Sequence, residues 1–102
     1  MTDPEIILEA ARNALDITWE DPEGDQKLTG ILSRGMAYLN QISGLDLDYA
    51  QENKPRELLL DYARYARANA LNEFQGNYLH ELLTLRVWSE VKQDEAEDAP
   101  EL

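Results

Sequence analysis

Apolar residues recur at three- and four-residue steps in four separate stretches of this chain, which predicts four helices. The first opens at "DPEIILEAARNAL". Asp3 suits its N-cap, and Pro4 suits the first helical position, where a missing N–H leaves nothing unsatisfied. Ile6, Ile7, Ala10, Ala14 and Leu15 form its expected apolar stripe. The second helix is expected from about Asp25 to Ser43, with Leu28, Ile31, Leu32, Gly35, Leu39 and Ile42 on one face. Gly44 follows, where a left-handed C-cap needs no Cβ. Gly30 and Gly35 inside this helix each cost roughly 1 kcal/mol relative to alanine, which a closely approaching helix would offset.

The third helix is expected to start at Pro55, with Lys54 outside because a residue before proline avoids the α region. "RELLLDYARYARANALNEF" then reads as one helix of about five turns. Leu59, Tyr62, Ala63, Ala66 and Ala70 make one stripe, bordered by Leu58, Tyr65 and Asn69. An apolar arc this wide suits a central helix, or one buried on a second side by a partner. "QGN", residues 75–77, is expected to break it, and "YLHELLTLRVWSEV" resumes the pattern with Leu79, Leu82, Leu83 and Val87. Only "DITW" and "LDLDY" have extended or alternating character, and both fall between helices. The expected fold is therefore all-α, a small bundle of about four helices with an acidic loop between the first two. Residues 1–92 are expected to form one domain, and residues 93–102, "QDEAEDAPEL", a disordered acidic tail.

Charge narrows the function classes. The formal net charge is −12, and residues 93–102 hold five acids and no base, leaving −7 on the rest. Such a chain lacks the cations that replace counterions on nucleic-acid phosphates. With no cysteine, disulfides and thiolate metal sites are excluded. No leader pattern is visible at the amino terminus, and no apolar run approaches the ~20 residues that span a bilayer.

The acidic run from Glu20 to Asp25 raises the question of calcium. A helix–loop–helix calcium loop needs oxygen ligands at its first, third, fifth and twelfth positions and glycine at the sixth. Counting from Asp16 puts Asp21 sixth and Lys27 twelfth; counting back from Gly24 puts Trp19 first. The stretch starting at Asp46 fails in the same way, with Gln51 sixth. The run is instead expected to be a turn with Asp25 as N-cap, anchored by Ile17 and Trp19 folded beneath it. His80 is the lone histidine, and "YLHELL" lacks the second histidine of a zinc-protease helix, so a surface or boundary histidine is expected. No nucleophile elbow, phosphate loop or dinucleotide fingerprint is present, and an enzyme is not expected. No cofactor is implied. In "DYARYARANA", Asp61 and Arg64 can pair along the helix. Arginine and tyrosine are also the residues favoured at binding hot spots, and Trp88 raises the same possibility.

Taken together, these parts resemble the small head–tail connector proteins of tailed bacteriophages and prophages, also called adaptor or head-completion proteins. The resemblance is carried by "WEDPEGDQ" followed by "LTGILSRGMAYLNQISG", where Ile31, Leu32, Gly35, Tyr38, Leu39, Ile42 and Gly44 hold the family's recurring places. "PRELLLDYARYARANALNEFQGNYLHELLTLRV" is similar to the long helix and following short helix of connectors from phages of Gram-positive hosts. Gly30 is an addition to that pattern, and the acidic tail lies outside it. The resemblance implies an all-α virion subunit at the head–tail interface, present in the bacterial host cytoplasm before assembly. It implies a ring of about twelve copies beneath the portal protein, which extends the DNA channel and receives the next connector or tail-completion protein. Viral DNA would pass without specific binding, and no membrane is involved. On the family's pattern, Val87, Trp88 and Val91 are the expected portal contacts, and Arg34, Tyr38, Arg64 and Arg67 the expected ring contacts. The competing reading is an acidic regulator or inhibitor that mimics DNA and binds a basic protein.

Overall fold

The structure, a computed structural model, describes residues 2–87. Trp88, Val91 and residues 93–102 lie outside the described residues. Within them the chain is all-helical: α1 Pro4–Ala14, α2 Pro22–Ser43, α3 Lys54–Arg67, α4 Leu71–Asn77 and α5, residues 79–87. No strand occurs among the described residues, so the two stretches of extended character are loops.

The helix starts share one chemistry. Asp3 accepts from the Glu5 N–H at 2.9 Å ahead of Pro4, as its sequence suggests. Asp21 repeats the pattern ahead of Pro22, accepting from the Gly24 N–H at 3.0 Å. The N-cap of α2 is therefore Asp21 and not Asp25, and the helix begins at Pro22, three residues before the expected start at Asp25. Much of the acidic run is thus the first helical turn, where carboxylates face the positive end of the helix dipole. A side chain at Gly24 would collide with the Asp21 carboxylate, so glycine leaves the cap its room. Asn53 caps α3 by accepting from Arg56 N–H at 3.1 Å, which draws Lys54 into the helix one residue ahead of Pro55.

The helix ends depart further from expectation. The third helix does not run five turns to Phe74. It stops at Arg67, where Asn69 takes the left-handed conformation at φ 57°. Asn69 N–H donates to Ala66 O at 3.1 Å and Ala70 N–H to Tyr65 O at 2.8 Å, the paired bonds of a Schellman cap. Asparagine tolerates this conformation better than most residues, which is why the stop needs neither glycine nor proline. "QGN" does not break a helix either; it completes α4. The end of α1 repeats the motif with Asp16 at φ 58°, Asp16 N–H on Asn13 O at 3.2 Å and Ile17 N–H on Arg12 O at 2.9 Å. Gly44 ends α2 at φ 74°, as its position suggested.

α1, α2 and α3 pack as a bundle. Arg12 near the end of α1 meets Asp25 at the start of α2, while Thr2 meets the loop beyond the end of α2, so these two helices are antiparallel. Within α1 the buried positions are Ile7 and Ala11; Ile6, expected on the stripe, is 63% exposed. α2 and α3 meet at Gly35, where a Cβ would lie 2.7 Å from both Leu59 Cδ1 and Tyr62 Cδ1. The close approach anticipated for the helix glycines is real at Gly35. Among the described residues no other helix comes within 4 Å of a Cβ at Gly30; the nearest neighbour is the Arg34 guanidinium at 3.4 Å.

The core runs through Leu28, Leu32, Met36 and Leu39 of α2 and Leu58, Leu59 and Ala63 of α3. Phe74 of α4 is buried among Tyr38, Tyr62, Tyr65 and Tyr78, with ring centroids 4.7 to 6.2 Å apart. The loop after α2 buries Leu47 and Tyr49 while Asp46 and Asp48 face water, an alternation visible in "LDLDY". Asn40 holds this loop: its Oδ1 accepts from Leu47 N–H at 3.1 Å and from the Tyr49 hydroxyl at 2.7 Å. Thr2 Oγ1 accepts from Tyr49 N–H at 3.1 Å.

Candidate functional site

The acidic run has assigned work. Asp21 is the cap, and Asp25 pairs with Arg12 at 3.3 Å in a partly buried contact. Arg12 also donates to the Trp19 carbonyl, which holds the loop against α1 through its backbone. The Trp19 side chain is consequently not folded beneath the loop. It stands 54% exposed, and Ile17 alone packs inward. Among the described residues no group of three or more acids or histidines is close enough to hold a metal ion. His80 is exposed on α5.

The outward face of α2 carries Lys27, Ile31, Arg34 and Tyr38 at steps of four, three and four residues. Lys27 and Arg34 are exposed and have no ion-pair partner among the described residues. Arg67, at the end of α3, is likewise exposed and unpaired. It joins Lys27 and Ile31 around a cleft of about 350 Å³ whose apolar wall includes Ile17, Trp19 and Leu28. Glu23 is the acid shared by this cleft and the neighbouring groove along Lys27, Ile31 and Arg34.

The four expected ring contacts therefore divide. Arg34 and Arg67 both border Lys27 and Ile31. Tyr38 shares the face of Arg34, but its ring lies against Tyr62 at 5.7 Å and Phe74 at 6.2 Å and closes the aromatic cluster. Burial, and then the neighbouring Tyr62, push its hydroxyl above the ordinary tyrosine range. Arg64 stands apart. It pairs with Asp61 at 3.3 Å and donates to the Ala14 carbonyl at 3.3 Å, tying α3 to the last turn of α1. Lys27 was missed from sequence, although its spacing to Ile31 and Arg34 is a helical one.

α5 has two apolar sides. Leu82 and Leu85 enter the core, each 4% exposed. Leu79, Leu83 and Val87, spaced four apart, are 50%, 53% and 58% exposed. The single apolar pattern read from sequence thus separates into an inner and an outer set. Of the expected portal contacts, Val87 lies on the outer set, while Trp88 and Val91 fall outside the described residues. No helix among the described residues is long and apolar enough to cross a membrane. Comparison with protein-family models, with curated proteins and with solved structures finds no match to this chain.

Proposed function

We propose that this protein is a structural, non-catalytic subunit that works by docking, and specifically a head–tail connector of a tailed phage or prophage. The observation that carries the reading is the outer stripe of α5. A small helical bundle that buries Leu82 and Leu85 yet leaves Leu79, Leu83 and Val87 half in water has a second face to cover. Aliphatic anchors at i, i+4 and i+8 suit a helix laid into a partner's groove. In this reading the partner is the portal, and the α2 face with Arg34 and Arg67 contributes to contacts within a ring of about twelve copies. The excess of acid suits a DNA conduit, because a repulsive wall lets the duplex slide. The DNA-mimic reading draws on the same charge, but a mimic needs an unbroken carboxylate face, and the strip of Lys27, Arg34 and Arg67 interrupts one.

Co-sedimentation with the portal encoded in the same genome tests the proposal. Wild-type protein is expected to pellet with the portal, and the exposed-site double variant L83D/V87D is expected to remain in the supernatant. A genome without a portal gene, or equal binding by the two proteins, refutes the connector assignment.

A further inference from the structure

Sequence pattern and structure disagree most sharply at Asn69. The pattern runs on through Ala66, Ala68 and Ala70 as one helix, yet the chain turns back there with Asn69 at φ 57°. Only Ala68, Asn69 and Ala70 separate α3 from α4. Ala70, the N-cap of α4, gives it no side-chain bond. A straight helix would offer the first amides of α4 the carbonyls of the last turn of α3, and would return Asn69 to the right-handed region. The packing beyond the turn is what keeps the chain bent. Phe74 lies against Tyr62 and Tyr65 with ring centroids 5.6 Å away in both cases. Asn77 donates to the Tyr65 hydroxyl at 3.1 Å, and Leu82 and Leu85 enter the core.

We propose that α4 and α5 form an exchangeable arm: Asn69 straightens, α3 and α4 become one helix, and the arm takes the same seat on a second copy, which returns its own. Straightening by itself uncovers Phe74, Leu82 and Leu85 and empties the aromatic seat, a heavy loss of apolar burial. A second copy holds an identical seat, so reciprocal exchange regains these contacts and needs no new surface. Short hinges under strain invite such exchange. The bent chain also fixes how two straight ones would meet. Residue 74 lies opposite residues 62 and 65, and residue 78 opposite residue 65, so two exchanged chains run antiparallel and cross near residue 69. Ala66 and Ala70, one turn apart in a straight helix, add no bulk at that crossing. Charge permits it too. In this acidic chain, residues 62–80 hold two arginines and one acid, so like-charge repulsion between copies is small there. The consequence is a bivalent unit. Two outer stripes of Leu79, Leu83 and Val87 are fixed on one body, which docks with avidity where a single stripe holds weakly. The exchange uses the inner set of α5 and holds whether or not the partner of the outer set is a portal.

Size-exclusion chromatography with light scattering over a concentration series reads the exchange. Asn69→Ala removes the residue that tolerates the bend, and an exchanged dimer straightens two hinges. At roughly fivefold for each hinge, its dimer dissociation constant is expected to fall about 25-fold from wild type. Asn69→Gly, at ease at φ 57°, is expected to raise it. Nitroxide pairs then separate exchange from surface pairing. The sequence has no cysteine, so exposed Glu57 and His80 can each be replaced by cysteine and labelled in one Asn69→Ala chain, co-refolded with excess unlabelled Asn69→Ala chain. Twenty-three residues of straight helix set the two labels ~35 Å apart. In the bent chain Tyr78 lies against Tyr65, which brings His80 back alongside α3. Double electron–electron resonance on the dimer is expected to give the long distance. A dimer that keeps the short distance, or an Asn69→Ala protein no more dimeric than wild type, overturns the inference. If Asn69→Ala does not fold, Asn69→Gln carries the same test.

Discussion

Gly35→Ala is the substitution whose outcome the structure constrains most tightly. In a helix interior alanine is better than glycine by roughly 1 kcal/mol, so propensity alone predicts stabilisation. At Gly35 the added methyl would stand 2.7 Å from Leu59 Cδ1, 2.7 Å from Tyr62 Cδ1 and 3.1 Å from Tyr62 Cε1. Neither neighbour has room to yield. Leu59 is fully buried, and the Tyr62 ring is wedged against Tyr38 and Phe74. Overpacking of this kind costs about 1–3 kcal/mol, and here two contacts are violated together, so the upper part of that range applies. Net of propensity, Gly35→Ala should lose about 1–2 kcal/mol. Gly30→Ala is the matched control. Among the described residues its one neighbour within 4 Å is the end of the flexible Arg34 side chain at 3.4 Å, so it should gain up to about 1 kcal/mol. Urea unfolding followed by helical circular dichroism separates the two. With a slope of about 2 kcal/mol/M, the midpoints should lie roughly 1 M apart, Gly30→Ala above and Gly35→Ala below. A Gly35→Ala protein as stable as Gly30→Ala would refute the close α2–α3 crossing.

Three further outcomes follow from the caps and the buried hydroxyl. Asp21→Ala should cost about 1 kcal/mol in urea unfolding and Asp21→Asn should restore most of it, because the bond to Gly24 needs only an acceptor oxygen; equal loss in both variants would remove Asp21 from the cap. Asn69→Ala should cost about 1 kcal/mol, while Asn69→Gly should match or exceed wild type, since φ is 57° there; the reverse order would mean that α3 and α4 are continuous. Tyr49 is buried beside Asp46, and burial first and that charge second raise its pKa above the ordinary tyrosine value. A raised folded-state pKa contributes stability that is complete below the unfolded value of about 10 and is lost as pH rises beyond it. The alkaline fall in melting temperature should therefore be shallower in Tyr49→Phe, and an identical profile would exclude Tyr49 as its source.

The places where sequence and structure part have physical reasons. Asp3–Pro4 and Gly44 were legible because proline at a first turn and glycine at a left-handed cap are strong local signals. Asp21–Pro22 carries the same signal as Asp3–Pro4, but the crowd of acids and Gly24 around it reads as a turn. The stop at Asn69 is weaker still, since asparagine enters the left-handed region only sometimes and the alanines at 66, 68 and 70 favour a helix. Periodicity located the apolar residues of α5 but could not divide Leu82 from Leu79 and Leu83, because the division depends on which side of the helix meets the core. Trp19 was expected inside on hydrophobicity, yet the Arg12 contact to its carbonyl fixes the backbone and leaves the indole outside. Arg34 and Arg67 could be singled out by residue type. That Lys27 joins them and that Arg64 does not required the crossing of α2 and α3 to be known.

Asn40 gives the loop after α2 an unusual standing in hydrogen exchange. Leu47 N–H and Tyr49 N–H belong to no helix, yet each is bonded to a side-chain oxygen, Asn40 Oδ1 and Thr2 Oγ1. The Tyr49 hydroxyl returns to the same Asn40 oxygen, so opening the loop breaks these bonds together. Both amides should exchange with deuterium slowly and at one shared rate, like a small cooperative unit, while the exposed amides of Gln51 and Glu52 exchange within the dead time. Asn40→Ala should release the pair at once; if Leu47 alone speeds up, the loop opens residue by residue.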